Sequence, residues 1–274
     1  MTLAELLPDE DYRFQMRFKK GTVPEFFGPT DRNSEILAER RHWLDENPQQ
    51  YAAMLPDGAE LIRETVELVR REETLPESNS DLFSQTLNPF EVCMRLGKVW
   101  EPDFLLLRAD ADDEVRLIGG CVCFPSSWNL AEKIGHPIQF IHNVVPGLNP
   151  ALGSQIHGFL SRLKPGTVWL RANWGLSRSS DLNQHPARGL PRLSSNASLD
   201  EAFLRIENQA LVALPESHGV LFGIRIAVHN LEQIHRDPAL SKGLARALAS
   251  LPDDMASYKN ITDCRSRLIS LLQQ

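Results

Sequence analysis

The segment FLRIENQALVALPESHGVLFGIRI, at residues 203–226, decides the fold of this chain. Two runs of β-forming residues flank the turn-forming letters PESH, which predicts strands at Ala202–Leu214 and Gly219–Val228 joined as an antiparallel hairpin. Arg205 and Glu207 lie inside the first strand, and burying either charge is costly unless it is paired. A hairpin with charges in its interior points to a functional site or to a structural ion pair.

Three more strands are predicted to complete the sheet, at Asp103–Ala109, Val115–Phe124 and Thr167–Trp174. Helices are predicted at residues 34–47, 57–71, 146–163, 231–250 and 265–272. Because strands and helices alternate little, the sequence favours an α+β domain over a doubly wound parallel sheet. The expected architecture is a five-stranded antiparallel sheet flanked by amino-terminal and carboxy-terminal helices.

The length of 274 residues fits one large domain, residues 1–274. Its predicted parts are an amino-terminal arm with helices at 1–98, the sheet core at 99–230 and carboxy-terminal helices at 231–274. The polar loop at 177–199 is long for a compact domain, which predicts either a lid or a mobile segment.

Composition excludes several classes of function. Hydrophobic residues make up 42% and charged residues 24% of the chain, which is typical of a globular protein. Lys+Arg 29 against Asp+Glu 36 gives a net charge of −7, and this acidic balance argues against a nucleic-acid surface. No apolar run approaches the length of about 20 residues that a membrane helix needs. The amino terminus shows no signal-peptide pattern, so we predict a cytoplasmic protein.

Common catalytic and metal-binding motifs are absent from the sequence. The patterns G-x-S-x-G, G-x-x-x-x-G-K-[ST] and G-x-G-x-x-G do not occur, which removes the simplest hydrolase, nucleotide-hydrolysing and dinucleotide-binding interpretations. The 4 cysteines form no C-x-x-C pair and the histidines show no H-E-x-x-H spacing, so a zinc site held by protein ligands alone is not indicated.

Side chains alternate along a strand, so two predicted strands each place a polar set on one face. The sets are Trp169, Arg171 and Asn173 on one strand, and Arg205, Glu207 and Gln209 on the other. If both sets face inward, they can bind an anionic group and orient a small polar substrate. The alternative is a structural ion pair on a solvated face, because one face of an antiparallel sheet is often wet.

His142 lies in the otherwise apolar segment FIHNVVPG, residues 140–147. An imidazole in such surroundings is either a core histidine with a hydrogen-bond partner or a ligand to a metal or haem. Spacing alone does not decide between the two.

Several phrases, taken in order, resemble the α subunit of the haem-dependent oxidative N-demethylases. FIHNVVPGL is similar to the family pattern IHxPVPxY, RANW to RxNW, and FLRIENQALVALP to RVERQTLxRLP, which an F-G-I-R strand follows. FQMRFKK and CFPSSWNLAEKIGHPI also look like segments of that family, so the resemblance covers nearly the whole chain.

The resemblance implies a PAS-like fold that binds haem b non-covalently. It also implies a monooxygenase that removes a methyl group from a small amine such as dimethylamine and releases formaldehyde. Electrons would come from NAD(P)H through separate flavin and iron–sulfur reductase components. By the same resemblance, His142 is the expected axial iron ligand, and Arg171 and Glu207 are the expected catalytic residues. The residues expected to bind the cofactor are His142, Arg171, Asn173, Trp174 and Arg205.

Two departures from the family pattern concern the expected pocket. Arg178 stands where small hydroxyl residues are usual, and we expect its charge to repel an ammonium substrate. Asn208 stands where the family carries a second arginine. One alternative to an enzyme is a non-catalytic PAS-like sensor of haem or a small ligand. Another is an interaction protein whose polar strand residues form a structural network.

Overall fold

The computed structural model describes residues 1–75 and 87–274, which form one antiparallel sheet with helices packed on both faces. The strands are β1 (Lys19–Gly21), β2 (Ala52–Met54), β3 (Asp103–Ala109), β4 (Val115–Cys121), β5 (Val168–Ser177), β6 (Phe203–Leu214) and β7 (Gly219–Asn230). Their order in space is β1-β5-β6-β7-β3-β4-β2, with every neighbouring pair antiparallel. The predicted α+β class is confirmed.

The sheet has 7 strands where the sequence predicts five. The five predicted strands form its centre, while β1 pairs with the outer edge of β5 and β2 with the outer edge of β4. The two added strands are only 3 residues long, too short for side-chain alternation to be visible in the sequence. They become strands because a long edge strand offers them unpaired backbone donors and acceptors.

The β6–β7 hairpin is the longest strand pair of the sheet. Its register runs from Phe203 opposite Asn230 to Leu214 opposite Gly219. His218 closes the turn in the left-handed region, at a φ of 53°. Gly219 follows directly, and a Cβ at this position would lie 2.0 Å from a methyl carbon of Leu61, so a larger side chain cannot be accommodated without a shift.

Helices cover both faces of the sheet. They are α1 (Leu3–Leu6), α2 (Val23–Phe27), α3 (Asn33–Glu46), α4 (Pro48–Tyr51), α5 (Ala59–Arg71), α6 (Pro89–Val99), α7 (Ile138–His142), α8 (Leu148–Leu160), α9 (Leu231–His235), α10 (Pro238–Ser250), α11 (Asp253–Tyr258) and α12 (Arg265–Leu272). Among the residues that the structure describes, no helix has the length and apolar character needed to cross a bilayer.

Each face of the sheet packs against a different set of helices. On one face, the amino-terminal helices cover a core that includes Leu106 and Leu221, and the carboxy-terminal helices cover Leu204 and Ile206. The opposite face, which we call the α7–α8 face, places apolar residues such as Leu211 beneath those two helices. Side-chain alternation puts the predicted polar set of β6 on this α7–α8 face.

Two predicted segments differ from what the structure contains. Residues 231–250 form two helices, because Pro238 begins a new one and the Asp237 side chain caps it by accepting from the Ala239 N–H at 2.9 Å. The loop at 177–199, predicted as a lid or a mobile segment, is packed against the sheet. Its residues Asn183 and His185 are buried, and Gln184 forms an isolated bridge with Ser126.

A buried ion pair joins α3 to β3. Arg40 pairs with Asp103, and both side chains are almost fully inaccessible to solvent. The other guanidinium nitrogens of Arg40 donate to the Gly97 carbonyl at 2.7 Å and contact the Cys121 Sγ at 3.4 Å. Asp103 also accepts two backbone N–H groups, at 2.7 and 2.9 Å. Each guanidinium nitrogen of Arg40 and each carboxylate oxygen of Asp103 therefore has a partner inside the protein.

Candidate functional site

Polar side chains of β5 and β6 meet on the α7–α8 face. In the register of the two strands Arg171 lies opposite Gln209, and Asn173 lies opposite Glu207. The Gln209 amide donates to Glu207 Oε2 at 3.0 Å, which orients the carboxylate. The predicted alternation therefore brings Arg171 and Glu207 onto one patch of the sheet.

His142 reaches the same patch from the carboxy-terminal end of α7. Burial, with a smaller contribution from the charge of Arg171, lowers the pKa of His142 to about 4. The imidazole is therefore neutral at neutral pH, which is the form that ligates metals. It forms no hydrogen bond with any residue in the described ranges, so its ring nitrogens are free to bind a ligand.

Arg171 is a largely buried cation that has no partner among the described residues. Within the part of the chain that the structure describes, its guanidinium forms no hydrogen bond and no salt bridge. Burial lowers the pKa of Arg171, and the negative charge of Glu207 opposes that shift. Buried charges are usually paired, so an unpaired guanidinium marks a position where an anion can bind.

Lys259 is a second cation, at the edge of β5 beside Trp174, and sequence reasoning missed it. It follows α11, and its Nζ donates to the Trp174 carbonyl at 2.7 Å while lying 5.2 Å from the centroid of the Trp174 ring. Burial lowers the pKa of Lys259 to about 8, again opposed by the charge of Glu207. No motif surrounds this lysine, so its role depends on contacts that the sequence does not reveal.

We call His142, Arg171, Glu207 and Lys259 the charged cluster. Exposed apolar side chains border it: Phe140 is 53% and Val144 is 54% exposed beside His142. Tyr258, next to Lys259, is 43% exposed, and burial of its hydroxyl together with the charge of Glu207 raises its pKa. Exposed apolar residues grouped around polar ones are typical of a ligand-binding surface.

A small cavity lies on the α8 side of His142. Its volume is about 30 Å³, and its lining includes Glu114, Asn149 and His157. This volume is room for about one water molecule, so a large cofactor cannot occupy it. The Asn149 Oδ1 is buried without a partner among the described residues, which suits a water bound in this cavity.

The charged cluster and its border together suit a haem group. Haem is flat and largely apolar, carries two carboxylates and needs an electron-pair donor for its iron. His142, neutral and without a hydrogen-bond partner among the described residues, can supply that donor, and Arg171, unpaired among the same residues, suits a carboxylate. The exposed apolar side chains Phe140 and Val144, next to His142 in the chain, are available to contact a flat apolar ring. The donor set therefore fits the cofactor that the sequence analysis expects.

Three other residues predicted to bind the cofactor, Arg205, Trp174 and Asn173, have surroundings that differ from those of Arg171. The Arg205 guanidinium donates to the Ser126 hydroxyl and to backbone carbonyls of residues 124, 125, 181 and 182, so its donors are used within the fold. Trp174 is buried among the carboxy-terminal helices, on the face opposite to Arg171. Asn173 is exposed, and its side-chain oxygen accepts from the Trp174 N–H at 2.9 Å.

Arg178 does not present the free charge that the sequence led us to expect. Its guanidinium forms a salt bridge with Glu201 at 2.8 Å, beyond the end of β5. The pairing satisfies the cation away from the charged cluster. The expected like-charge repulsion of an ammonium by Arg178 is therefore not supported by its position.

Two other histidines have partners of their own. His136 stacks on the Phe140 ring, with centroids 4.2 Å apart. The His157 Nε2 lies 2.8 Å from the Asp113 carbonyl, on the acidic turn between β3 and β4. Of these histidines and His142, only His142 is placed against Arg171.

Comparison with known protein families identifies the family to which the chain belongs. Residues 33–269 match the family described as haem-dependent oxidative N-demethylase, alpha subunit-like. The match spans strands β2 to β7 and every member of the charged cluster. The resemblance found in the sequence is confirmed, and the chain belongs to the haem-dependent oxidative N-demethylase, alpha subunit-like family.

Proposed function

We propose that this protein binds haem b non-covalently at the charged cluster and removes a methyl group from a small amine oxidatively. One observation carries the proposal: a neutral imidazole and a guanidinium, both without hydrogen-bond partners in the described ranges, lie close enough for the charge of Arg171 to lower the pKa of His142. Folded proteins rarely leave two such groups unsatisfied unless a ligand uses them. Membership of a family named for haem supports this assignment.

His142 is the proposed iron ligand, and Arg171 the proposed partner of a haem propionate. Of the other predicted cofactor contacts, Asn173 remains proposed because it is exposed on the same face, whereas Trp174 and Arg205 are used elsewhere in the fold. When bound, haem supplies the reductive activation of O₂. The five central strands, in the order β5-β6-β7-β3-β4, support the proposed PAS-like architecture.

Glu207 is the proposed catalytic carboxylate. Its oxygens can hold a cationic amine and exchange a proton with it, and Gln209 keeps the side chain in place. The overall reaction consumes a secondary amine, O₂, two electrons and two protons, and yields a primary amine, formaldehyde and water. The proposed electron source is NAD(P)H, through separate flavin and iron–sulfur reductase components. The proposed location is the cytoplasm.

A non-catalytic haem or small-ligand sensor is the second candidate. The observation that favours it is the charge of the cluster: Arg171 and Lys259 are two cations beside the single carboxylate of Glu207. A surplus of positive charge opposes binding of a plain alkylammonium ion.

Haem binding is tested by the absorption spectrum of protein purified from haem-supplied cells. Wild-type protein should show a Soret band, and His142→Ala should lose most of it, because the variant removes the proposed iron ligand. His136→Ala is the matched control, since His136 stacks on Phe140 close to the same helix and should leave the spectrum unchanged. An unchanged Soret band in His142→Ala would assign the ligand to another residue.

Turnover is tested separately, by formaldehyde release from dimethylamine in a reductase-driven assay. Glu207→Gln should keep the haem spectrum and lower the rate by a factor of about 10²–10⁴, the usual size of a general acid–base contribution. If wild-type protein with intact haem releases no formaldehyde from any methylamine, the sensor becomes the better assignment.

A further inference from the structure

The small cavity beside His142 brings two helices to one point. Its volume is about 30 Å³, and its lining includes Gln139 and His142 of α7 together with Asn149 and Gly153 of α8. Because the space is close to that of a single water molecule, an occupant lies against both helices at once. The cavity is therefore a place where one small molecule can connect His142 to α8.

The polar side chains that line this cavity differ in whether they have partners. Glu114 accepts from an arginine of β4 at 2.8 Å, and the His157 Nε2 lies 2.8 Å from a backbone carbonyl of the acidic turn. Gln139 is exposed to solvent. The Asn149 Oδ1 is buried without a partner among the described residues, and the His142 ring forms no hydrogen bond with them. Asn149 and His142 are therefore the two lining groups that an occupant can satisfy.

Helix α7 holds the amide of Asn149 in one orientation. The Asn149 Nδ2 donates to the Gln139 carbonyl at 2.7 Å, three residues before His142. Since the nitrogen and the oxygen belong to one planar amide, this bond also fixes the direction of Oδ1. A buried acceptor that has no hydrogen bond is unfavourable, so an occupant of the cavity that donates to Oδ1 is stabilising.

A water molecule satisfies both groups at once. It can donate to the Asn149 Oδ1 and accept from an N–H of the His142 ring, whereas the two side chains form no direct hydrogen bond. An apolar occupant would leave the oxygen unsatisfied. A metal ion is not the expected occupant, because no group of three or more suitable ligands is found in the described part of the chain.

We propose that Asn149 is a positioning residue for His142 and acts through a water molecule bound in this cavity. This proposal rests on the proposed function, in which His142 binds iron. The water keeps the proton on the ring nitrogen that faces the cavity and leaves the other nitrogen bare for the metal. A hydrogen-bonded N–H also makes an imidazole a more basic ligand. Asn149 thereby sets the tautomer of His142 and the strength with which it donates electrons.

Two substitutions of Asn149 separate this role from the link to α7. Asn149→Leu removes both the donor and the acceptor, whereas Asn149→Asp removes the donor and keeps an oxygen acceptor. Both variants lose the hydrogen bond to the Gln139 carbonyl, and only Asn149→Leu also loses the acceptor for the water. A merely structural role of Asn149 would therefore affect the two variants alike.

The readouts are the reduction potential and the haem affinity of haem-loaded protein. Asn149→Leu should shift the potential to a more positive value, because a less basic imidazole stabilises ferric iron less. The expected size is about tenfold in the ferric–ferrous equilibrium, which is about 59 mV for one electron. Its haem affinity should fall by about tenfold, measured by transfer to a competing apoprotein. Asn149→Asp should keep the wild-type potential or shift it to a more negative value.

Gly153→Ala tests the water without altering Asn149. A Cβ at Gly153 would lie 3.8 Å from the Asn149 Oδ1, an ordinary contact distance, so alanine fits and its methyl group takes up much of the cavity. Alanine is also a better helix former than glycine, so thermal unfolding should not occur at a lower temperature. We expect the same positive shift of the potential as in Asn149→Leu.

Asn143→Leu is the matched control. Asn143 is an exposed asparagine directly after His142 and lies outside the cavity lining, so the variant should keep the wild-type potential and haem affinity.

Three results would overturn the proposal. Equal shifts in Asn149→Leu and Asn149→Asp would mean that Asn149 acts only through its bond to α7. An unchanged potential in both would show that Asn149 does not act on His142. A shift in Asn149→Leu with none in Gly153→Ala would exclude the water as the link.

Failure of the proposed function gives a different pattern. If the protein takes up no haem, the tautomer of His142 can still be measured in haem-free protein by long-range proton–nitrogen NMR correlation. The ring signals of His142 are identified by their loss in His142→Ala. A single tautomer in the wild type that becomes a mixture in Asn149→Leu supports the water-mediated link without the cofactor. The same tautomer populations in both proteins would contradict it.

Discussion

Arg205 and Arg171 lie on neighbouring strands of the same sheet, yet their surroundings are opposite. Burial lowers the pKa of both, that of Arg205 to about 10. Arg205 donates to Ser126 Oγ at 2.7 Å, to the Phe124 carbonyl at 2.8 Å and to the Leu182 carbonyl at 2.7 Å. Arg171 donates to no acceptor in the described residues.

This contrast separates a structural cation from one available to a ligand. The acceptors of Arg205 come from two loops, so its guanidinium ties residues 124–126 to residues 181–182 across β6. Arg171 links no other described residues, shares a face of the sheet with Glu207, and its charge acts on His142. Burial alone does not identify a functional charge, whereas burial without partners does.

The largest effect is expected at Arg40, a fully buried cation that is paired with a buried carboxylate. Arg40→Met should lower the free energy of unfolding by about 3–5 kcal/mol, because it leaves the Asp103 carboxylate buried without its counter-charge. The urea midpoint at constant m-value measures the loss. Arg32→Met is the control, since Arg32 forms an exposed pair with Glu35 and should change stability by less than about 1 kcal/mol.

Arg205→Met should have the next largest effect. Removing the guanidinium leaves several buried carbonyls unsatisfied, and we expect a loss of about 2–3 kcal/mol in the same denaturation assay. Haem uptake per folded molecule should stay at the wild-type level. If Arg205→Met had the unfolding free energy of the wild type but took up less haem, Arg205 would be a cofactor-binding residue after all.

An effect of similar size concerns pH. Below the ordinary pKa of 6.5 the unfolded imidazole of His142 takes up a proton, whereas the folded one stays neutral down to about pH 4. The unfolded state therefore binds more protons between these values, and haem-free protein should lose about 2–3 kcal/mol of stability from this group as the pH falls from 6.5 to 4.

Comparison with His142→Gln isolates that contribution. The difference in unfolding free energy between wild type and variant should narrow or change sign as the pH falls through this window. A difference that is independent of pH would mean that His142 titrates normally in the folded protein.

Arg171→Met should have the smallest effect on stability and a clear effect on binding. Because the guanidinium has no partner in the described residues, we expect the free energy of unfolding of haem-free protein to change by less than about 0.5 kcal/mol. Haem affinity should fall by about tenfold or more, measured by transfer of haem to a competing apoprotein. A stability loss as large as that of Arg205→Met would abolish the distinction between the two arginines.

Much of the fold is visible in the sequence because it depends on local patterns. The strand at Asp103–Ala109 and the helix at Arg265–Leu272 have the predicted bounds, since apolar spacing and turn residues mark both ends. Strand β1 was missed because two exposed lysines and a glycine carry no alternation, and it exists through pairing with β5. Helix α7 was missed because its 5 residues are too few to show helical spacing.

The candidate site was predictable in part for the same reason. Alternation places Arg171 and Glu207 on one face, and the family motif singles out His142. Side-chain alternation predicts the face on which a residue lies, but not its hydrogen-bond partners. It therefore could not distinguish Arg205, which donates to two loops, from Arg171. Lys259 joins the cluster through tertiary packing of α11 against the edge of β5, which leaves no mark in the local sequence.

All four cysteines are buried, and they divide between the two clusters that cover one face of the sheet. Cys93, Cys121 and Cys123 lie beneath the amino-terminal helices, and Cys264 lies among the carboxy-terminal ones. Since an oxidant reaches a thiol only after the surrounding helices detach, the order in which these residues are modified reports which half of the molecule opens first. Oxidised cysteines would thus accumulate on chains that have already opened. The extent of oxidation of a molecule would depend more on how often that molecule has opened than on the concentration of the oxidant.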